Sequence, residues 1–126
     1  MREEVKNWLE QAREDYRSAE YNHNGRKYYV AAFLCQQSVE KALKALALAK
    51  LKEIPRSHSI VYLSKMVKVP PKMLSGIRNL NSEYMTTRYP DIAGGIPAEM
   101  YDKKIVSGYL TTAKEVLQWV EEQTPK

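Results

Sequence analysis

Cysteine is almost missing from this chain. Cys35 is the only one among 126 residues, so no disulfide can close within it, and a thiol set in an apolar run behaves as a small hydrophobe. That pattern predicts a reducing, cytoplasmic setting. Histidine is scarce too. His23 and His58 are the only two, and neither has a carboxylate cluster at ligand spacing around it, which argues against a metal site. No cofactor is implied. The one glycine doublet, Gly94-Gly95, lacks both a preceding strand and a following Lys-Ser/Thr, so it is not a phosphate-binding loop. There is no N-terminal apolar segment of the secretory kind and no run of about 18 apolar residues, which excludes a membrane span. Candidate strands, internal repeats and low-complexity tracts are lacking as well.

What is present is a chain of one-domain length, with residues 1–126 read as a single helical domain. Its 44% hydrophobic and 28% charged composition argues against disorder. Val5, Trp8, Leu9, Ala12, Tyr16 and Ala19 recur every three or four residues, predicting a helix from about Arg2 to Asn22. Gly25 suits a left-handed cap after it. A second helix is predicted from about Lys27 to Leu51. Its first turns, Tyr28 to Leu34, are apolar all round, so it belongs in the centre of the fold. Polar residues then run through this central helix. Gln36, Gln37 and Glu40 must find partners on neighbouring helices or line a groove.

After the Pro55 connector, Ser57 or Ser59 can cap a short helix carrying Ile60, Leu63 and Val67. Pro71 opens a fourth helix with Met73, Leu74, Ile77, Leu80, Tyr84 and Met85 as its buried stripe, closed by Tyr89-Pro90. Asp91 to Met100 reads as an exposed loop. Asp102 caps a last helix whose apolar face runs from Ile105 to Val120. The fold class is therefore all-α, an antiparallel four-helix up-and-down bundle with a short additional helix. The broad apolar faces of the second and last helices suggest a homodimer.

Net charge is +5, and its placement is uneven. Between Lys41 and Arg78, nine Lys and Arg side chains face Glu53 alone, a balance of +8 that leaves −3 for the remainder. Such a basic segment attracts phosphates or an acidic partner, or is a solvated lysine face. Within it, Arg56 and His58 stand at the mouth of the third helix, where guanidinium, imidazole and free amides can hold a phosphate. The structural alternative is a cap or a hydrogen bond to a neighbouring helix. Arg88 with Tyr84 and Tyr89 is a second candidate, a guanidinium for phosphate beside rings for a base. Its alternative is pairing with Glu83 or Asp91 while the tyrosines complete the core. Lys41 and Lys44 are further ligand candidates, although Glu40 and Lys44, four apart, also make an ordinary helix-surface ion pair.

Taken in order, Trp8-x3-Ala12-x2-Asp15, Tyr28-x4-Phe33-x-Cys35-Gln-Gln-x2-Glu40-Lys-x-Leu43-Lys-Ala, Ser57-His58-Ser-Ile60, Arg88-Tyr-Pro-Asp91 and Val116-x2-Trp119-Val resemble the HEPN domain family over nearly the whole chain. The resemblance implies an all-α bundle, frequent dimerisation and a role around nucleotides or RNA. It also implies, for prokaryotic members, pairing with a minimal nucleotidyltransferase as toxin and antitoxin. The family's ribonuclease branch carries an Arg followed four to six residues later by His. This chain departs from that pattern, since no His follows Arg88 through Gly95. Arg17 and His23 have such a spacing, but at the end of the first helix, where they would point about 120° apart. Three readings follow: a module binding nucleotide or RNA phosphate or docking a nucleotidyltransferase, a metal-independent ribonuclease using His58 and Arg88, and a helical interaction subunit without a ligand.

Overall fold

The computed structural model describes residues 2–125, and it is all-helical. Three long helices dominate: α1 (Glu3–Asn24), α2 (Tyr28–Leu51) and α7 (Lys103–Gln123). Between α2 and α7 come α3 (Ile60–Met66), α4 (Pro71–Asn81), the single turns α5 (Glu83–Thr86) and α6 (Pro90–Ala93), and a 3-10 turn at Pro97–Glu99. No helix among the described residues is long and apolar enough to cross a membrane.

The helix predicted to be central is central. In α2 the side chains of Ala31, Ala32, Cys35, Val39, Ala42, Leu43 and Leu46 are fully buried, because α1 covers one side and α7 another, while α3 and α5 close the rest. Burial pushes the Cys35 thiol pKa up, consistent with a thiol that acts as packing. Tyr28, Tyr29, Val30, Phe33 and Leu34 are only partly covered by the chain's own helices, so apolar surface remains on the first turns of α2. From α1, Val5, Leu9, Ala12 and Ala19 fill the core, and α7 contributes Val106, Ala113, Val116 and Val120. Gly76 lets α4 pack closely against α7, since a Cβ there would run into the Thr112 side chain.

The structure corrects four local expectations. The left-handed residue after α1 is Arg26 (φ 63°), not Gly25 (φ −85°), because α1 runs on to Asn24 and the cap shifts with it. Lys27 N–H then bonds Asn22 O at 2.8 Å and Arg26 N–H bonds His23 O, the double closure of a Schellman turn. The expected fourth helix is broken at Ser82, whose carbonyl accepts from both Met85 and Thr86 N–H. As a result Met85 points outward, at 39% exposure, and Glu83 points inward. The Asp91–Met100 stretch is exposed as expected apart from Pro97, Ala93 being partly covered, but it carries two short helical turns, with Gly94 (φ 75°) ending α6. Ile105 at the start of α7 is exposed rather than buried. Of the two serines offered as caps, Ser59 is the one that closes α3, accepting from Tyr62 N–H, and Asp102 caps α7 through Ile105 N–H.

Candidate functional site

The site grows from the polar residues of α2. Glu40 is 5% exposed, and a carboxylate so enclosed needs hydrogen bonds and a counter-charge. It has both. Lys44 Nζ, one turn on, donates to Oε2 at 3.1 Å, Gln36 Nε2 donates to Oε1 at 3.1 Å, and His58 Nδ1 lies 3.1 Å from Oε2. The Glu40–Lys44 pair is therefore interior, not on the helix surface as the four-residue spacing suggested. A carboxylate only accepts, so His58 Nδ1 carries the hydrogen and Nε2 is left for a ligand. His58 itself is held by its backbone: Gln36 Nε2 reaches its carbonyl at 3.3 Å, and Asn81 Oδ1 anchors the following turn through Ile60 N–H at 2.8 Å.

A parallel set of contacts ties α1 to α2. Lys41 Nζ pairs with the buried Asp15, which also accepts from Gln11 Nε2 at 2.9 Å. Gln37 bridges the two sets by donating to Gln36 Oε1 at 2.7 Å and accepting from Lys41 Nζ at 3.4 Å. The polar seam thus runs unbroken from Asp15 to His58. Two of the basic candidates, Lys41 and Lys44, already hold internal carboxylates. Their positive charge is matched locally.

The other half of the site comes from α5 and the turn after it. Tyr84 stacks flat on His58, with ring centres 4.1 Å apart and planes 13° apart. On Tyr84 also lies Arg88, its guanidinium 4.5 Å from the ring centre, 4.9 Å from Tyr89 and 5.1 Å from Phe33 of α2. Arg88 Nε donates to Tyr84 O at 2.8 Å, which closes the turn and fixes the guanidinium. Arg88 has no ion pair among the described residues, while Glu83 turns into the core away from it. Delocalised cation on aromatic faces is worth about 0.5–2 kcal/mol, depending on desolvation. Arg56 is exposed, two residues from His58. His58, Tyr84, Arg88 and Tyr89 are thus brought together, and Lys41 and Lys44 sit behind them in the seam.

Sequence reasoning overlooked the role of Glu40 as the partner of His58, of Phe33 beside Arg88 and of Asp15 as the partner of Lys41. Asp15 carried a readable signal. It falls in helical register with Ala12 and Ala19, so it had to be buried and paired. The remaining two accidents of spacing are structural: Arg17 pairs with Glu14 at 3.1 Å, and His23 packs on Tyr28 beside Ser107.

Buried near this site but apart from it is Glu83, 4% exposed. Burial raises its pKa, against hydrogen bonds from Tyr101 and Ser82 that lower it. Glu83 Oε2 has no partner, and Tyr109, desolvated and facing the same carboxyl, is pushed up to about 12.

The HEPN domain model matches residues 5–123. Among solved structures the chain is similar to TT1696 from Thermus thermophilus, at 34% identity and a TM-score of 0.89, with 97% of this chain and 99% of that one covered. It is likewise similar to ST0689, an archaeal HEPN homologue, at 35% identity and a TM-score of 0.82, with 98% of each chain covered. No curated protein matches it. The family match over residues 5–123, with structural likeness along almost the full length, places this chain in the HEPN domain family.

Proposed function

We propose that this chain is a HEPN module that holds a phosphate of a nucleotide or RNA on the His58–Tyr84–Arg88 face, and that its protein partner is a minimal nucleotidyltransferase in a toxin–antitoxin type of pair. The observation that carries the phosphate reading is the placement of two side chains thirty positions apart on one tyrosine ring, His58 at 4.1 Å and Arg88 at 4.5 Å. Arg88 spends Nε on Tyr84 O but is otherwise held by aromatic rings rather than carboxylates, so its terminal amino groups are free of any carboxylate and available to a ligand. Arg56 adds charge nearby, whereas Lys41 and Lys44 support the site through Asp15 and Glu40. The nucleotidyltransferase partner rests on the family alone.

The test is binding of a labelled RNA across a salt series. Phosphate contacts make affinity fall steeply with salt, and Arg88→Ala both weakens binding and flattens that slope by about one phosphate's worth. A flat response in the wild type counts against the reading.

A second reading, metal-independent ribonuclease, is favoured by the buried carboxylate behind His58. Glu40 orients the ring and leaves Nε2 to take a proton, the arrangement a general base requires. RNA cleavage that is unchanged in both His58→Ala and Arg88→Ala removes it. A homodimer has exposed apolar side chains to use at Met85, Ile92, Ile96 and Met100, and light scattering reads the state directly.

A further inference from the structure

The single turn α5 presents the site on one side and buries a carboxyl on the other. Four-residue spacing pairs Tyr84 with Arg88 toward the site and Glu83 with Thr87 toward the interior, where they are 4% and 2% exposed. A helical segment this short has no stability of its own, because fixing a first turn is unfavourable until packing supports it. Its place is therefore set by what its inner side grips. That grip is polar. Thr87 Oγ1 donates to Glu83 O at 2.6 Å, Ser82 Oγ donates to Glu83 Oε1 at 3.3 Å, and the Tyr101 hydroxyl, just before α7, hydrogen-bonds the same carboxyl. Tyr84, the next residue, is the ring on which His58 and Arg88 meet.

These surroundings suit a neutral acid better than a carboxylate. Ser82 and Tyr101 offer hydroxyls, while Tyr109 of α7 faces both the carboxyl and Cys35 of α2, and none of these groups carries a positive charge. Among the described residues Glu83 has no ion pair. Arg88 is exposed, as is Asp91 of α6. Glu83 Oε2 is buried without a partner, so an ionised form would hold an uncompensated charge, in keeping with a pKa that burial raises. An outward shift of α5 lets water reach that charge. The same shift takes Tyr84 off His58, and it carries Arg88 along because Arg88 Nε is tied to Tyr84 O at 2.8 Å.

We propose that Glu83 is the positioning residue of this site and makes it proton-sensitive: neutral, it seats α5 so that Tyr84 and Arg88 meet on His58, and ionised, it releases the turn. The proposal rests on the phosphate reading above and adds its regulation. A ligand that needs the seated turn favours the neutral form, so affinity is full below the ordinary value of 4.5 and is lost as pH rises through the raised pKa.

Labelled RNA is titrated at fixed low salt, from below pH 4.5 to neutral pH, against the wild type, Glu83→Gln and Tyr101→Phe. Other titrating groups enter all three profiles alike. The wild type loses up to about tenfold in affinity per pH unit beyond what Glu83→Gln loses, the limit for one proton. Tyr101→Phe, which keeps the ring but removes a hydroxyl that favours the ionised form, moves the loss to higher pH. A merely structural Glu83 would change affinity by one factor at every pH. Amide exchange reads the turn without RNA: protection at Met85 and Thr86, whose N–H groups bond Ser82 O, falls with pH in the wild type and holds in Glu83→Gln. Parallel pH profiles in the two proteins, with binding that still follows salt and Arg88, overturn the proton link and leave the phosphate reading standing. No RNA binding at any pH overturns the phosphate reading, and protection that then falls only in the wild type still assigns Glu83 the seating of α5. Equal protection in both proteins at every pH overturns the seating, whatever the RNA does.

Discussion

Glu40 and Glu83 are the same residue type at nearly the same burial, 5% and 4% exposed, and they meet opposite surroundings. Glu40 has an ammonium, an imidazole and a carboxamide around it. Among the described residues Glu83 has the Tyr101 and Ser82 hydroxyls beside it, no ion pair, and one oxygen without a partner. At the first, desolvation is offset by charge and hydrogen bonds; the second is pushed toward its neutral form. Burial by itself therefore says little about what a carboxyl does. The partners that the neighbouring helices bring decide whether it orients a site or behaves as a titrating core group.

Removing the cation from Glu40 breaks the comparison most severely. Lys44→Met leaves a buried carboxylate short of its counter-charge and is expected to cost about 3–5 kcal/mol in urea unfolding, whereas Lys44→Met with Glu40→Gln costs clearly less. Glu83 supplies the next effect. Its folded pKa lies above the ordinary value of 4.5, so its contribution is fully present below that value and is lost as pH rises through the raised pKa. Unfolding free energy should fall over that window in the wild type, and Glu83→Gln should flatten the fall. His58→Ala takes one hydrogen bond from Glu40 but leaves Lys44 and Gln36, so a loss of about 1 kcal/mol is expected. The smallest effect belongs to Glu14, whose pair with Arg17 is exposed. Glu14→Gln should change stability by no more than about 0.5 kcal/mol, and a larger change would remove the distinction between interior and surface pairs.

Much of the fold was legible because helices announce themselves locally. The three-and-four spacing of Val5, Leu9 and Ala12, the unbroken apolar run before Cys35, and the caps at Ser59 and Asp102 all act over a few residues, and all stand in the structure. The break at Ser82 was not legible. The stripe from Met73 to Leu80 continues in pattern through Tyr84, and only the inward turn of Glu83 separates them. In the site, His58, Tyr84, Arg88 and Tyr89 were visible as residue types suited to phosphate and base. Their meeting on one ring was not, since it joins a connector to a helical turn some thirty residues away. Lys41 looked like free charge for the same reason, its partner Asp15 being remote in the chain, whereas the Glu40–Lys44 pair was readable from its spacing and only its burial was not.

By itself the sequence determined which segments coil, which residue faces are apolar, and that a helix bearing Gln36 and Glu40 must lie inside, because these follow from local spacing and the cost of wetting apolar surface. Tertiary structure alone decided which charges are matched, which ring His58 and Arg88 share, and which buried carboxyl lacks a cation. Those outcomes depend on distances between groups far apart along the chain, and electrostatic and hydrogen-bond energies are set by such distances and by burial.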